Sequence, residues 1–140
     1  MRIENQQLKD FLIYSELINS EEVLRNFVEA QKQKKLLGNL LLEKKLIGEI
    51  ELRKLYAYIL GIPFVDLSKE MIAVDILKII PEPIAKKYNI IAFEKSGNDL
   101  KVAMINPDDL QTIDFIRKKT GLHIVPCLTS KESIDSIIKQ

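Results

Sequence analysis

Leu8-Lys9-Asp10-Phe11-Leu12 and Leu37-Gly38-Asn39-Leu40-Leu41 stand 29 residues apart, and in the same frame Leu17-Ile18 falls on Leu46-Ile47. Apolar residues recur in both copies at helical spacing, and almost no turn signal interrupts the chain before Gly61-Ile62-Pro63, so this half reads as helical. Past the shared frame, the first copy (Asn19-Ser20-Glu21-Glu22-Val23-Leu24) takes one more residue than the second (Gly48-Glu49-Ile50-Glu51-Leu52) before the next apolar stripe, which sets Leu24 against Leu52. Each copy is then a helical hairpin. Ser20 is the expected cap of the second helix of the first copy, with Glu21 and Glu22 in its electropositive first turn, as Glu49 and Glu51 are in the second copy. Two such hairpins bury their apolar stripes against each other.

Outward from the repeat the pattern changes. Ile90-Ile91-Ala92-Phe93, Leu100-Lys101-Val102-Ala103-Met104-Ile105 and His123-Ile124-Val125-Pro126 are short apolar runs bounded by glycine or proline, which is the signature of strands. Lys95-Ser96-Gly97-Asn98-Asp99 has the composition of a tight hairpin turn. Proline stops a short apolar turn at Asp75 to Pro81, and Pro83 through Tyr88 reads as a helix. Asn106-Pro107-Asp108-Asp109 opens another through about Lys119, with its aspartates in the first turn, its basic residues in the last and Gly121 as the stop. Ser130 is the expected cap of a final helix. The expected fold is α+β: residues 1–67 form a helical unit of two tandem hairpins, and residues 68–140 a small three-stranded α/β sandwich unit.

Composition excludes several classes of function. With 140 residues, 46% hydrophobic and 29% charged, the chain can fill a core, and a net charge of +1 gives none of the global field of nucleic-acid binders. No nucleic-acid partner is expected. Cys127 and His123 are single residues of their kinds, too few for an intramolecular disulfide or a Cys/His metal site. Neither a signal-peptide core nor an apolar run of about 18 residues is present, so the expectation is a soluble cytoplasmic chain without direct membrane insertion.

The chemistry of phosphate transfer is missing as well. A Walker loop needs a Gly-Lys pair, and none of Gly38, Gly48, Gly61, Gly97 and Gly121 is followed by lysine. The same wide spacing excludes a Rossmann fingerprint. His123 and Cys127, imaginable as a base and a nucleophile, would point to one face only on an unbulged strand, and a core thiol with an edge histidine is the simpler reading. Asp108 and Asp109 point in different directions and suit helix capping better than a cation cage. Lys32, Lys34 and Lys35 at the joint between the copies read as a solvated run, with attraction of a phosphate-bearing ligand as the functional alternative. Arg117-Lys118-Lys119 is accounted for by the negative end of its helix.

From Leu36-Leu37-Gly38-Asn39-Leu40-Leu41-Leu42-Glu43-Lys44-Lys45-Leu46-Ile47 to Leu60-Gly61-Ile62-Pro63-Phe64-Val65-Asp66-Leu67, and on through Ile80-Pro81-Glu82, Leu100 to Asp108, and Lys119-Thr120-Gly121, the chain resembles the N-terminal domain of the GspE/PilB/MshE group of secretion and pilus assembly ATPases. That resemblance implies a cytoplasmic hexameric motor with hydrolysis in a later domain. The domain seen here is then a non-catalytic regulatory or docking part, peripheral to the inner membrane through its partners. Those are an inner-membrane platform or assembly protein and, if the chain is a fragment, its own ATPase domain. The same resemblance implies no cofactor for chemistry. As an alternative function it offers cyclic di-GMP sensing, because some members bind that dinucleotide through two tandem copies of an Arg-Leu-Gly pattern closed by Gln. On that pattern the ligand-binding residues are Leu8, Lys9, Leu12, Gln31, Leu37, Gly38 and Leu41, with Leu17, Leu24, Leu52 and Tyr56 completing the frame. Departures are many: Gln7 and Leu36 replace arginine, Lys9, Glu16 and Lys45 replace glycine, and Ile59 replaces glutamine. Arginine supplies a planar charged fork and glycine a close backbone approach, so these changes remove much of the affinity. Lys9, Lys34 or Lys35 would serve only as point charges.

Overall fold

The computed structural model describes residues 3–140, which divide into two compact units after Gly61. The helical unit contains α1 (Asn5–Ser15), α2 (Ser20–Gln33), α3 (Leu37–Glu43) and α4 (Glu49–Leu60). Its core is the expected apolar stripe: Leu8, Leu12, Leu37 and Leu41 are all buried, together with Val23, Leu52 and Leu55. Asn5 joins the two hairpins. Its amide donates to Gln31 Oε1 at 2.9 Å and to the Lys35 carbonyl at 3.0 Å, while its Oδ1 accepts from the Leu37 N–H at 2.8 Å. One side chain thereby satisfies an open donor at the start of α3 and ties it to the end of α2.

Two details of the repeat differ from the sequence reading. The α2 cap is Asn19, whose Oδ1 accepts from Glu21 N at 2.8 Å, while Ser20 is already the first helical residue. The frame also does not slip. Val23 and Leu52 are both buried, Asn26 and Leu55 are both buried, and Asn19 and Gly48 both cap their helices. Leu24, set against Leu52 by pattern, is instead 47% exposed. The 29-residue offset therefore runs through the second helix of each hairpin, and Leu24 is a surface residue one position past the stripe.

The second unit consists of α5 (Val74–Leu77), α6 (Glu82–Tyr88), β1 (Ile90–Ser96), β2 (Asp99–Met104), α7 (Leu110–Thr120), β3 (His123–Leu128) and α8 (Lys131–Ile138). The sheet order is β1-β2-β3, with β1 antiparallel and β3 parallel to β2. Gly97 opens the two-residue β1–β2 turn with φ of 60°, a region that favours glycine. The parallel pairing requires a crossover, supplied by α7. Its aspartates lie before the helix rather than in its first turn: Asp109 is the cap, accepting from Thr112 N at 3.2 Å and from the Thr112 hydroxyl at 2.6 Å. Ser130 caps α8 through Ser133 N at 3.2 Å.

The sequence boundary at Leu67 falls six residues late. Phe64 pairs in parallel with Leu128, Val65 N donates to the Leu128 carbonyl at 2.9 Å, and the Leu67 N–H donates to Ser133 Oγ at 2.9 Å. An extended Pro63-Phe64-Val65 segment extends the edge of the sheet beside β3, and Leu67 enters that core. These residues belong to the α/β unit.

Candidate functional site

The seven residues assigned to a ligand by pattern have other duties in the helical unit. Leu8, Leu12, Leu37 and Leu41 are at most 1% exposed and constitute its core. Gln31 receives the Asn5 amide. Lys9 is half-buried, with its ammonium 4.9 Å from the centroid of the Phe27 ring and 3.6 Å from the Asp10 carboxylate. Gly38 is buried on α3 beneath Tyr56 of α4. A Cβ placed on Gly38 would overlap the Tyr56 hydroxyl oxygen and stand 3.2 Å from Leu52 Cδ2 and 3.3 Å from Tyr56 Cζ. Burial pushes the Tyr56 phenol above its ordinary pKa, against the opposing effect of Arg53.

The positions where arginine or glycine was expected are equally committed. The Gln7 side chain accepts from Glu4 N at 3.3 Å, closing a capping box at the start of α1. Leu36 precedes α3 as its cap residue. Glu16 and Lys45, both standing where the pattern has glycine, adopt left-handed φ values of 57° and 58°. Glycine suits these positions for a backbone reason, since each turns the chain out of the first helix of its hairpin.

Around this core the charges pair off locally. Lys35 lies 3.6 Å from Glu43, and Lys44 lies 2.9 Å from Glu29. Lys32, Lys34 and Lys35 are exposed, and Lys34 also forms the left-handed end of α2. They lie at the solvated joint between the hairpins. Outward-facing apolar side chains accompany them: Leu24 and Val28, one turn apart on α2, are 47% and 50% exposed.

In the α/β unit the candidate reactive groups stay apart in character. His123 is exposed, with Nδ1 3.1 Å from Asp99 Oδ1, whereas Cys127 is buried and burial pushes its thiol up. Asp114 accepts from Arg117 and from Lys118, and these bonds hold its carboxyl below the usual range. Among the described residues no three His, Cys, Asp or Glu side chains gather as a metal set. The reading of the sequence missed an apolar groove of about 720 Å³ between α5, α6 and α8, lined by Met71, Val74, Leu77, Ile80, Ile137 and Ile138. These residues are scattered over 68 positions of sequence, and only the fold brings them together. No helix among the described residues is long and apolar enough to cross a membrane.

Comparison with known proteins puts this arrangement in a family. The MshEN domain model matches residues 60–140, more than half of the chain and all of its sheet. The type IV pilus assembly ATPase PilB of Myxococcus xanthus is 26% identical over 134 residues, covering 96% of this chain and 24% of that protein. PilB of Pseudomonas aeruginosa is 28% identical over 114 residues, covering 79% and 20%. The chain thus spans about a quarter of the length of these relatives or less. A solved structure of MshE with cdg (cyclic di-GMP) has a TM-score of 0.74 at 19% identity, covering 99% of this chain and 98% of that one. The N-terminal domain of XpsE has a TM-score of 0.61 at 19% identity, with coverage of 99% and 96%. Both likenesses extend over the helical unit as well as the sheet, and the shared fold is mixed α+β. The chain belongs to the MshEN domain family, as an N-terminal domain of the type II secretion and type IV pilus assembly ATPases.

Proposed function

We propose that this chain is a non-catalytic docking domain that couples a secretion or pilus assembly ATPase to an inner-membrane platform or assembly protein. The observation that carries this reading is the alignment of nearly the whole chain with a quarter of PilB, a protein named for its ATPase activity, while no glycine here is followed by the lysine of a phosphate loop. Hydrolysis then belongs to another part of such a motor, and this part works by contact. Such a domain is cytoplasmic and peripheral to the inner membrane through its partners, which include its own ATPase domain where the two are joined. Leu24 and Val28 support the reading, because adjacent exposed apolar side chains on a helix whose other exposed residues are charged or polar are the usual material of a contact face. Titration with the cytoplasmic region of a platform or assembly protein should give saturable binding. Leu24→Asp together with Val28→Asp should weaken it at least about tenfold if α2 forms the face. Absence of affinity for any such protein would end the proposal.

A second reading, a cyclic di-GMP sensor acting through Leu8, Lys9, Leu12, Gln31, Leu37, Gly38 and Leu41, is favoured by the likeness to MshE with cdg. Calorimetry with the dinucleotide at micromolar protein separates the two, since a sensor gives saturable heat.

A further inference from the structure

The 29-residue frame sets Phe27 of α2 and Tyr56 of α4 at matching positions, and sets Lys9 of α1 and Gly38 of α3 at the positions they cover. In the first hairpin a long side chain meets the shorter ring: the Lys9 stem is half-buried and its ammonium lies over Phe27. In the second hairpin the absence of a side chain at Gly38 is matched by the extra hydroxyl of tyrosine, which fills the volume a Cβ would take. Both notches are closed from within the hairpin by residues of complementary length.

From this we infer that Tyr56 is the built-in occupant of the Gly38 notch, and that Gly38 is retained here to pack a tyrosine rather than to admit a ligand. The inference speaks against the sensor reading and is independent of the docking proposal. A dinucleotide approaching the Gly38 backbone would first have to displace a half-buried phenol packed beside Leu52. It would then find Gln7 capping α1 and Leu36 ahead of α3 in place of the two arginines, and so gain no bidentate charged contact for that displacement. The first hairpin offers no better entry, because Lys9 and Phe27 cover each other.

The test is a set of variants in the complete chain, read by thermal unfolding, together with calorimetry on the unaltered chain. Gly38→Ala should lower the unfolding temperature of the helical unit by roughly 5 °C or more, since the new methyl collides with the phenol oxygen. Tyr56→Phe alone should change it by less than half as much. The double variant, Gly38→Ala with Tyr56→Phe, should recover most of the loss, because removal of one oxygen makes room for the methyl. Cyclic di-GMP titrated into the unaltered chain should give no saturable heat. Losses that simply add in the double variant would overturn the packing role of Gly38, and saturable binding of the dinucleotide would overturn the exclusion. Affinity for a platform protein responds to neither result, so a failure here is distinguishable from a failure of the docking proposal.

Discussion

In the first hairpin Lys9 and Phe27 cover each other, whereas in the second Tyr56 reaches into the space that Gly38 leaves open. The helices differ in length, α1 being longer than α3 and α2 than α4, yet both hairpins leave their first helix through a left-handed residue, Glu16 or Lys45, and both bury an aliphatic residue, Val23 or Leu52, one turn before the aromatic. At matching positions the side-chain lengths are exchanged, and in each hairpin the pair fills its own space. On the inference above, neither copy offers a phosphate ligand the arginine fork or the open backbone of the pattern. Close packing explains the exchange, since a core tolerates substitution when total volume is kept and penalises an unfilled or overfilled site.

The comparison can be broken most strongly at Asn26. It is 1% exposed, its amide donates to the Glu22 carbonyl at 2.7 Å, and its Oδ1 has no hydrogen-bond partner among the described residues. Leu55 fills the matching position in the second hairpin. A buried carbonyl without a donor costs more than the single amide bond returns, so Asn26→Leu should stabilise the helical unit by about 1 kcal/mol. Urea unfolding followed by helical circular dichroism checks this. A loss of stability would mean that the two hairpins are not equivalent at this layer.

A smaller effect sharpens the same comparison at the left-handed turns. Glu16→Gly and Lys45→Gly should each stabilise by about 0.5 kcal/mol, the relief of positive φ exceeding the added freedom of the unfolded chain. The two gains should be equal and additive, because the residues occupy one position of the repeat in separate hairpins. Denaturation midpoints of the two single variants and the double variant measure this directly. Unequal gains would place different strain in the two turns.

Much of this architecture was legible in the residues, for reasons particular to each element. The stripe of Leu8, Leu12, Leu37 and Leu41 shows itself because helix burial has a fixed period. Gly97, Gly121 and Ser130 mark a turn, a helix end and a cap because few residues meet those backbone demands. The slip that set Leu24 against Leu52 arose from matching leucine to leucine, while Val23 fills the same space and only packing reveals the equivalence. Asp109 was read as a first-turn charge, although its side chain serves the cap through Thr112. Likewise, Phe64 and Val65 gave no local sign of joining the sheet, since their partner Leu128 lies far along the chain. The candidate ligand residues were legible as a pattern, whereas their packing was not. A sequence motif states residue type and spacing, whereas availability depends on the facing side chain, and no local signal announces that Tyr56 occupies the Gly38 notch.

The central claim is that the helical repeat is a closed contact body whose notches hold its own side chains. Amide chemical shifts recorded while cyclic di-GMP is added to the chain address it residue by residue. The signals of Lys9 and Gly38 should stay fixed through a large excess of the dinucleotide. Saturable shifts concentrated at Leu8–Leu12 and Leu37–Leu41 would instead show an open site and contradict the account.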